Sequence, residues 1–335
     1  MIPNALTSRF TQALLCKHWR MAIGALALCT VALTQAQSFP NQPITLLIPY
    51  PPGGSADMLA RPMLAMLQKE LGQPVVLDYK AGAGGTIATG MLARAKPDGY
   101  TILMVLAAHA INSSLYTKLP YDARKDFAPV SMLATLPLLL AGPLSTPFNT
   151  VPELISYGRA NPDKLTFASA GNGNTSHLAG EMFKAATGVK MLHIPYKGSS
   201  PAVVAMLGGE VSMMFDSIST SLVQVKAGKL KAIAVTGDKR SPLLPDVPTV
   251  KESGVPSFVV NGWYGILAPA GTPPDVVAKL NQALNKTVRD GKVAAQLTEY
   301  GYDVDGTSSE AFGRHIDAEL LRWKDAVQAS GAKLE

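Results

Sequence analysis

Residues 44–67 read ITLLIPYPPGGSADMLARPMLAML, and their order predicts strand, turn and helix. Ile44 to Ile48 is a short apolar run of the kind that forms a buried strand. Pro49, Pro51, Pro52, Gly53 and Gly54 stop it. Ser55 and Asp57 then open a pattern with apolar residues at Met58, Leu59, Met63, Met66 and Leu67, the spacing of one helix face. The first turn of a helix presents N–H groups without intrahelical partners and a partial positive charge, which suits an anion. An ordinary βα turn that binds nothing is the competing reading of the same residues.

The same unit recurs along the chain. Val75–Leu77 reads as a strand, residues 80–85 (KAGAGG) as a glycine turn, and Thr86 to Ala95 as a helix ended by Lys96-Pro97-Asp98-Gly99. Gly82 to Ile87 lacks the last glycine of a dinucleotide fingerprint, so a smaller anion suits this turn better. Tyr100–Leu106 is a third strand. Leu165–Ser169 leads through Ala170-Gly171-Asn172-Gly173-Asn174 to a helix with Thr175 or Ser176 as its cap. Val189–Ile194, Val211–Phe215 and Leu230–Val235 are further strands, and Asp216 stands at the end of the second of these. As a single residue, Asp216 reads most simply as a helix cap.

Two apolar stretches break this rhythm, Phe127–Ala141 and Phe258–Leu267. Both read as chain crossing between two lobes, one of residues 37–140 plus 259–335 and the other of 141–258. Two helices close the chain, one opening at Thr272-Pro273-Pro274-Asp275 and one at the capping box Thr307-Ser308-Ser309-Glu310. Alternating strands and helices predict an α/β fold with a mainly parallel sheet in each lobe, helices on both faces. Ligands of such sheets sit beyond the carboxyl ends of the strands, where the glycine- and serine-rich turns lie.

Residues 1–36 differ from the rest. Arg9, Lys17 and Arg20 precede the uncharged run from Met21 to Leu33, and small residues follow at Thr34 and Ala36. This is the order of a secretory signal peptide, with a mature N-terminus near Gln37 and a periplasmic destination. Both cysteines, Cys16 and Cys29, fall inside it. The remainder has no thiol for a disulfide, a nucleophile or a metal. Of 30 basic residues three lie in this segment, leaving 27 against 24 acidic ones. So small a positive balance argues against a nucleic-acid partner and is compatible with an anionic ligand.

Five stretches, taken in order, are recognisable: PYPPGGSAD from Pro49, KAGAGG from Lys80, SAGNGNTSHLAGE from Ser169, PYKGSSPA from Pro195 and GGEVSMMFD from Gly208. Together they resemble the Bug family, extracytoplasmic solute receptors associated with tripartite tricarboxylate transporters. The resemblance implies a two-lobed periplasmic-binding-protein fold of type II, with a small carboxylate held in the cleft by backbone groups and ordered water. Carried over by motif, it places Tyr50, Gly54, Ser55 and Asp57 at the ligand from the first turn, and Gly84, Gly85 and Thr86 from the second. Ser169, Gly171, Asn174, Thr175 and His177 follow from the third, and Asp216 from the last strand. Tyr79, Asn174 and Ser212 depart from residues common in the family at their positions. The resemblance implies a monomer that serves a membrane transporter, with no catalytic residue, no metal and no cofactor. Two other readings stay open at this point: a receptor that signals to a membrane sensor, and an exported α/β hydrolase using Ser176, His177 and Asp216.

Overall fold

The computed structural model describes residues 39–332, so the signal-like segment with Cys16 and Cys29 lies outside the described residues. In the first lobe, β1 (Ile44–Ile48) runs parallel between β2 (Val75–Tyr79) and β3 (Thr101–Leu106). The returns are α1 (Ser55–Leu71) and α2 (Thr86–Ala93). Ile44, Leu46, Leu47 and Ile48 are all buried, so helices and neighbouring structure cover both faces of the strand. The chain enters α3 (Ala108–Leu115) directly from β3. No proline, glycine or capping side chain separates them, so the sequence carries no punctuation for this helix.

The first crossing stretch is a single 17-residue strand, β4 (Phe127–Pro143). Up to Pro137 it pairs antiparallel with β9 (Asn261–Pro269), and with the short β10 (Asp303–Val304). From Leu138 onward it pairs antiparallel with β7 (Met213–Ser217) and β8 (Leu230–Val235). Proline has no N–H to offer a ladder, and Pro137 is the last partner of β9. The strand therefore changes sheets at the residue where its pairing must lapse. The second lobe is completed by α4 (Val151–Ala160), β5 (Thr166–Ser169), α5 (Thr175–Thr187), β6 (Leu192–Pro195), α6 (Ser199–Leu207) and α7 (Ile218–Lys226). β5 is parallel to both β6 and β7. Each sheet is thus parallel where βα units build it and antiparallel where the crossing strands join. Residues 189–191, expected in a strand, precede β6 instead. Val189 and Met191 are buried there, which explains their apolar character without a ladder.

The C-terminal part holds α8 (Pro274–Val288), α9 (Gly291–Glu299) and α10 (Ser309–Ser330). The sequence reading had two closing helices. The additional one, α9, starts on Asp290, whose carboxylate accepts from the N–H groups of Lys292 and Val293. The long α10 is pinned by buried Glu319. Its Oε2 accepts from the indole N–H groups of Trp263 (2.8 Å) and Trp323 (2.7 Å).

Both crossings meet at one fully buried threonine, Thr236. Its hydroxyl accepts from the Leu138 N–H at 2.9 Å and donates to the Val260 carbonyl at 2.5 Å. Its N–H donates to the Leu138 carbonyl, and the Val260 N–H donates to its own carbonyl. A single residue satisfies backbone groups on both chains as they pass between lobes. Thr236→Val keeps the shape but strips Leu138 N–H and Val260 C=O of a partner. It should lower unfolding free energy by about 1–3 kcal/mol, read as a lower denaturant midpoint at unchanged slope. Thr236→Ser should recover most of the loss.

Candidate functional site

Turns at the carboxyl ends of five strands converge on one narrow cavity, with about 20 Å³ of space open to water in this structure. Gly54 and Ser55 reach it from the start of α1, Ala107 from α3, Asn174 and Thr175 from α5, Ser199 from α6 and Ser217 from α7. The capping of these helices is unusual. Away from the cavity, α4, α9 and α10 start on Thr150, Asp290 and Ser308, whose side chains accept first-turn N–H groups, while α2 and α8 start on Gly85 and Pro273 without a side-chain cap. At the cavity, α1, α3, α6 and α7 have no side-chain cap at all. Only α5 is capped there, by Asn174 accepting from the Ser176 N–H at 3.0 Å. Four helix ends therefore aim uncapped N–H groups and partial positive charge into one space.

No charged side chain lines that space. The rest of its wall is Leu106, Leu138, Ala170, Gly262, Trp263 and the phenols of Tyr50 and Tyr264. Burial pushes the Tyr50 phenol well up, and that of Tyr264 up to about 12. Both are neutral at physiological pH, and Tyr50 donates its proton to the Gly84 carbonyl. Tyr50 hydroxyl accepts from Asn174 Nδ2 at 2.8 Å and lies 3.2 Å from the Gly84 carbonyl. Tyr264 hydroxyl lies 3.4 Å from Ser217 Oγ. Such a wall can hold an anion by N–H and O–H donors alone.

Of the residues expected from sequence, Tyr50, Gly54, Ser55, Asn174 and Thr175 line the main cavity. Gly84 and Gly85 line a smaller space on the other side of Tyr50, beside Asn112 and His109. Burial lowers the His109 pKa to about 4, so this imidazole is neutral. Gly84 also lines a third, roomier space together with Gly171 and the charged Lys197. At Gly84 the glycine is obligatory twice over. Its φ is +61°, and a Cβ would stand 2.3 Å from the Asn172 carbonyl oxygen of the opposite turn.

The remaining expected residues stand behind the wall. Asp57 accepts from Gly53 N–H at 2.8 Å, from Arg61 Nε at 2.9 Å and from the Tyr79 hydroxyl at 2.5 Å. Burial opposes its ionisation, yet the Tyr79, Gly53 and Arg61 bonds together hold its carboxyl below the usual range. Asp57 thus fastens the first turn. Thr86 hydroxyl donates to the Ala83 carbonyl at 2.9 Å, closing its own turn. Ser169 Oγ is 2.6 Å from His193 Nε2 and accepts from the Gly171 N–H at 3.1 Å. His177 Nδ1 accepts from the Gly173 N–H at 3.3 Å, and its ring stacks on His193 with centroids 4.1 Å apart. Burial lowers both imidazoles, that of His193 to about 3. Asp216 is wholly buried beneath the cavity floor.

Ser176 Oγ donates to Asn174 Oδ1 and accepts from the Ala170 N–H, while His177 is engaged with Gly173. The Ser-His neighbours are thus committed to separate structural bonds. Among the described residues no group of three or more His, Cys, Asp or Glu is placed to hold a metal. Sequence reasoning missed Ala107, Ser199, Ser217, Trp263 and Tyr264. Ser199 was within reach, since it follows Gly198 at a helix start as Ser55 follows Gly54. Trp263 and Tyr264 sit in a crossing strand whose apolar character reads only as core.

A family profile described as the tripartite tricarboxylate transporter family receptor, TctC, matches residues 59–332. Protein BugT of Bordetella pertussis is 37% identical over 307 residues, covering 91% of this chain and 94% of its own. The solved periplasmic binding protein BugD superposes with a TM-score of 0.86 at 37% identity, covering 89% of this chain and all of its own. R. palustris Rpa4515 with adipate gives 0.86 at 36% identity over 88% of this chain and all of its own. MatC from Rhodopseudomonas palustris with bound malate gives 0.83 at 35% identity over 86% and all of its own. These structures share the two-lobed arrangement, and none of the descriptions is that of an enzyme. The chain belongs to the tripartite tricarboxylate transporter family of receptors, the group that includes the Bug proteins.

Proposed function

We propose that this protein is a periplasmic receptor that closes around a small carboxylate, a dicarboxylate first among candidates, and delivers it to a tripartite tricarboxylate-type membrane transporter. The observation that carries the reading is the set of four uncapped helix N-termini converging on a cavity without a charged side chain. Water satisfies those N–H groups in an empty site, and a carboxylate satisfies them while gaining from the helix dipoles. The adipate and malate in two relatives support the ligand class. The signal-like order of residues 1–36 and the periplasmic description of BugD support the location.

Closure follows from contacts between the lobes, taken as residues 37–140 with 259–335 and 141–258. Tyr50 meets Asn174, and the Tyr302 hydroxyl lies 2.5 Å from the Ser55 carbonyl and 3.3 Å from Ser219 Oγ. At the rim Gly84 passes under the Asn172 carbonyl. A ligand that binds only the closed form shifts the hinge toward it.

A thermal-shift panel of mono- and dicarboxylates tests the ligand class. At 100 times its Kd a true ligand should add about 2.7 kcal/mol of stability, and a panel that moves nothing overturns the reading. Gly84→Ala tests closure. Left-handed alanine costs about 1 kcal/mol, but the collision with Asn172 holds the lobes apart. Carboxylate affinity should fall at least about tenfold, 1.4 kcal/mol, and small-angle scattering at saturating ligand should show a less compact particle than wild type.

A further inference from the structure

Asp216 ends β7 directly beneath the cavity and is 0% exposed. Its Oδ2 accepts from the hydroxyls of Thr220 and, at 2.6 Å, Ser221. Its Oδ1 has no hydrogen-bond partner of full geometry. No ion pair among the described residues includes it. The groups around it are hydroxyls from α6 and α7, the Ser217 N–H, and the phenols of Tyr264 on β9 and Tyr302 after α9. Burial pushes both phenols up and keeps them neutral, and Asp216 adds to the effect. Asp57, the other carboxylate acting on Tyr302, has its own cation in Arg61. Asp216 has none. Its neighbours Ser199 and Ser217 belong to the wall of the cavity itself.

We propose that entry of an anionic carboxylate into the cavity drives a proton from solvent onto Asp216, so that the receptor takes up its ligand as an anion and a proton together. The proposal rests on the carboxylate reading above. Asp216 and the ligand draw on the same two positive helix ends, α6 and α7, with no cation to divide between them. Two like charges in a desolvated site raise the proton affinity of the weaker acid. Burial already raises the Asp216 carboxyl above its ordinary range, against the opposing hydroxyl bonds. The unpartnered Oδ1 is the oxygen free to carry the proton, and a protonated Asp216 becomes a donor toward the wall hydroxyls.

The sign is fixed by linkage. A group whose pKa rises on binding makes affinity highest below its unliganded pKa. Affinity falls by up to about tenfold per pH unit toward the liganded pKa and is flat above it. The test is calorimetry with adipate and malate from about pH 6.5 to about pH 8.5, where these ligands are dianions and ordinary carboxyls are ionised. Each titration is run in two buffers of different ionisation enthalpy. Wild type should take up a fraction of a proton that shrinks as pH rises, with affinity falling in parallel. Asp216→Asn should lose the buffer dependence, flatten the pH profile and bind more tightly than wild type at the alkaline end. Infrared difference spectra of the wild type, independent of any variant's folding, should gain a protonated carboxyl band on ligand addition. Binding with equal heats in both buffers, or without that band, overturns the proposal and leaves the carboxylate reading standing. Retained uptake in Asp216→Asn overturns it as well. No binding of any carboxylate overturns both.

Discussion

Two chains cross between the lobes, and both cross at Thr236. Backbone passing from one sheet to another must give up one set of ladder partners before it gains the next, and in the buried centre no water fills the gap. Pro137 removes one donor from the account, and the Thr236 side chain and main chain serve Leu138 and Val260 on either side. Pairing passes from β9 to β7 between Pro137 and Leu138 without a gap. The cavity stands next to it, with Leu138 and Gly262 in its wall.

The site is assembled from strand ends rather than from reactive side chains. A helix start that keeps its N–H groups free is less stable alone, since a missing cap costs about 0.5–2 kcal/mol. Four such starts meet at one place, while α4, α9 and α10 keep side-chain caps and α2 and α8 do without them. Glycine is what allows the opposing turns to touch. Gly173 lies so close to Asn112 that a Cβ would be 2.0 Å from its Oδ1.

The residues behind the wall have a coherent role. Asp57 fastens Gly53, Ser169 fastens Gly171, and His177 fastens Gly173, each through an N–H of a turn that reaches the ligand space. The resemblance implies ligand contact at all three; in the structure each bonds to its own turn and none lines the cavity. Asp216 shares their burial but bonds to the hydroxyls of Thr220 and Ser221 and has no cation beside it.

The strand–turn–helix units, the two long crossing strands and the glycine turns at Gly54 and Gly84 were all legible in the sequence, because each rests on local spacing, proline and glycine. Helix α3 was hidden because nothing punctuates its start, and α9 because Asp290 and Gly291 look like a loop. Distance along the chain hid the rest. Ser199, Ser217, Trp263 and Tyr264 become wall residues only when β4 turns from β9 to β7 and brings far-apart strand ends together. Local chemistry thus determined what each turn can hold. The tertiary structure alone decided which side chains line the cavity and which are buried one layer behind, since the change of β4's partner from β9 to β7 sets who faces the cavity.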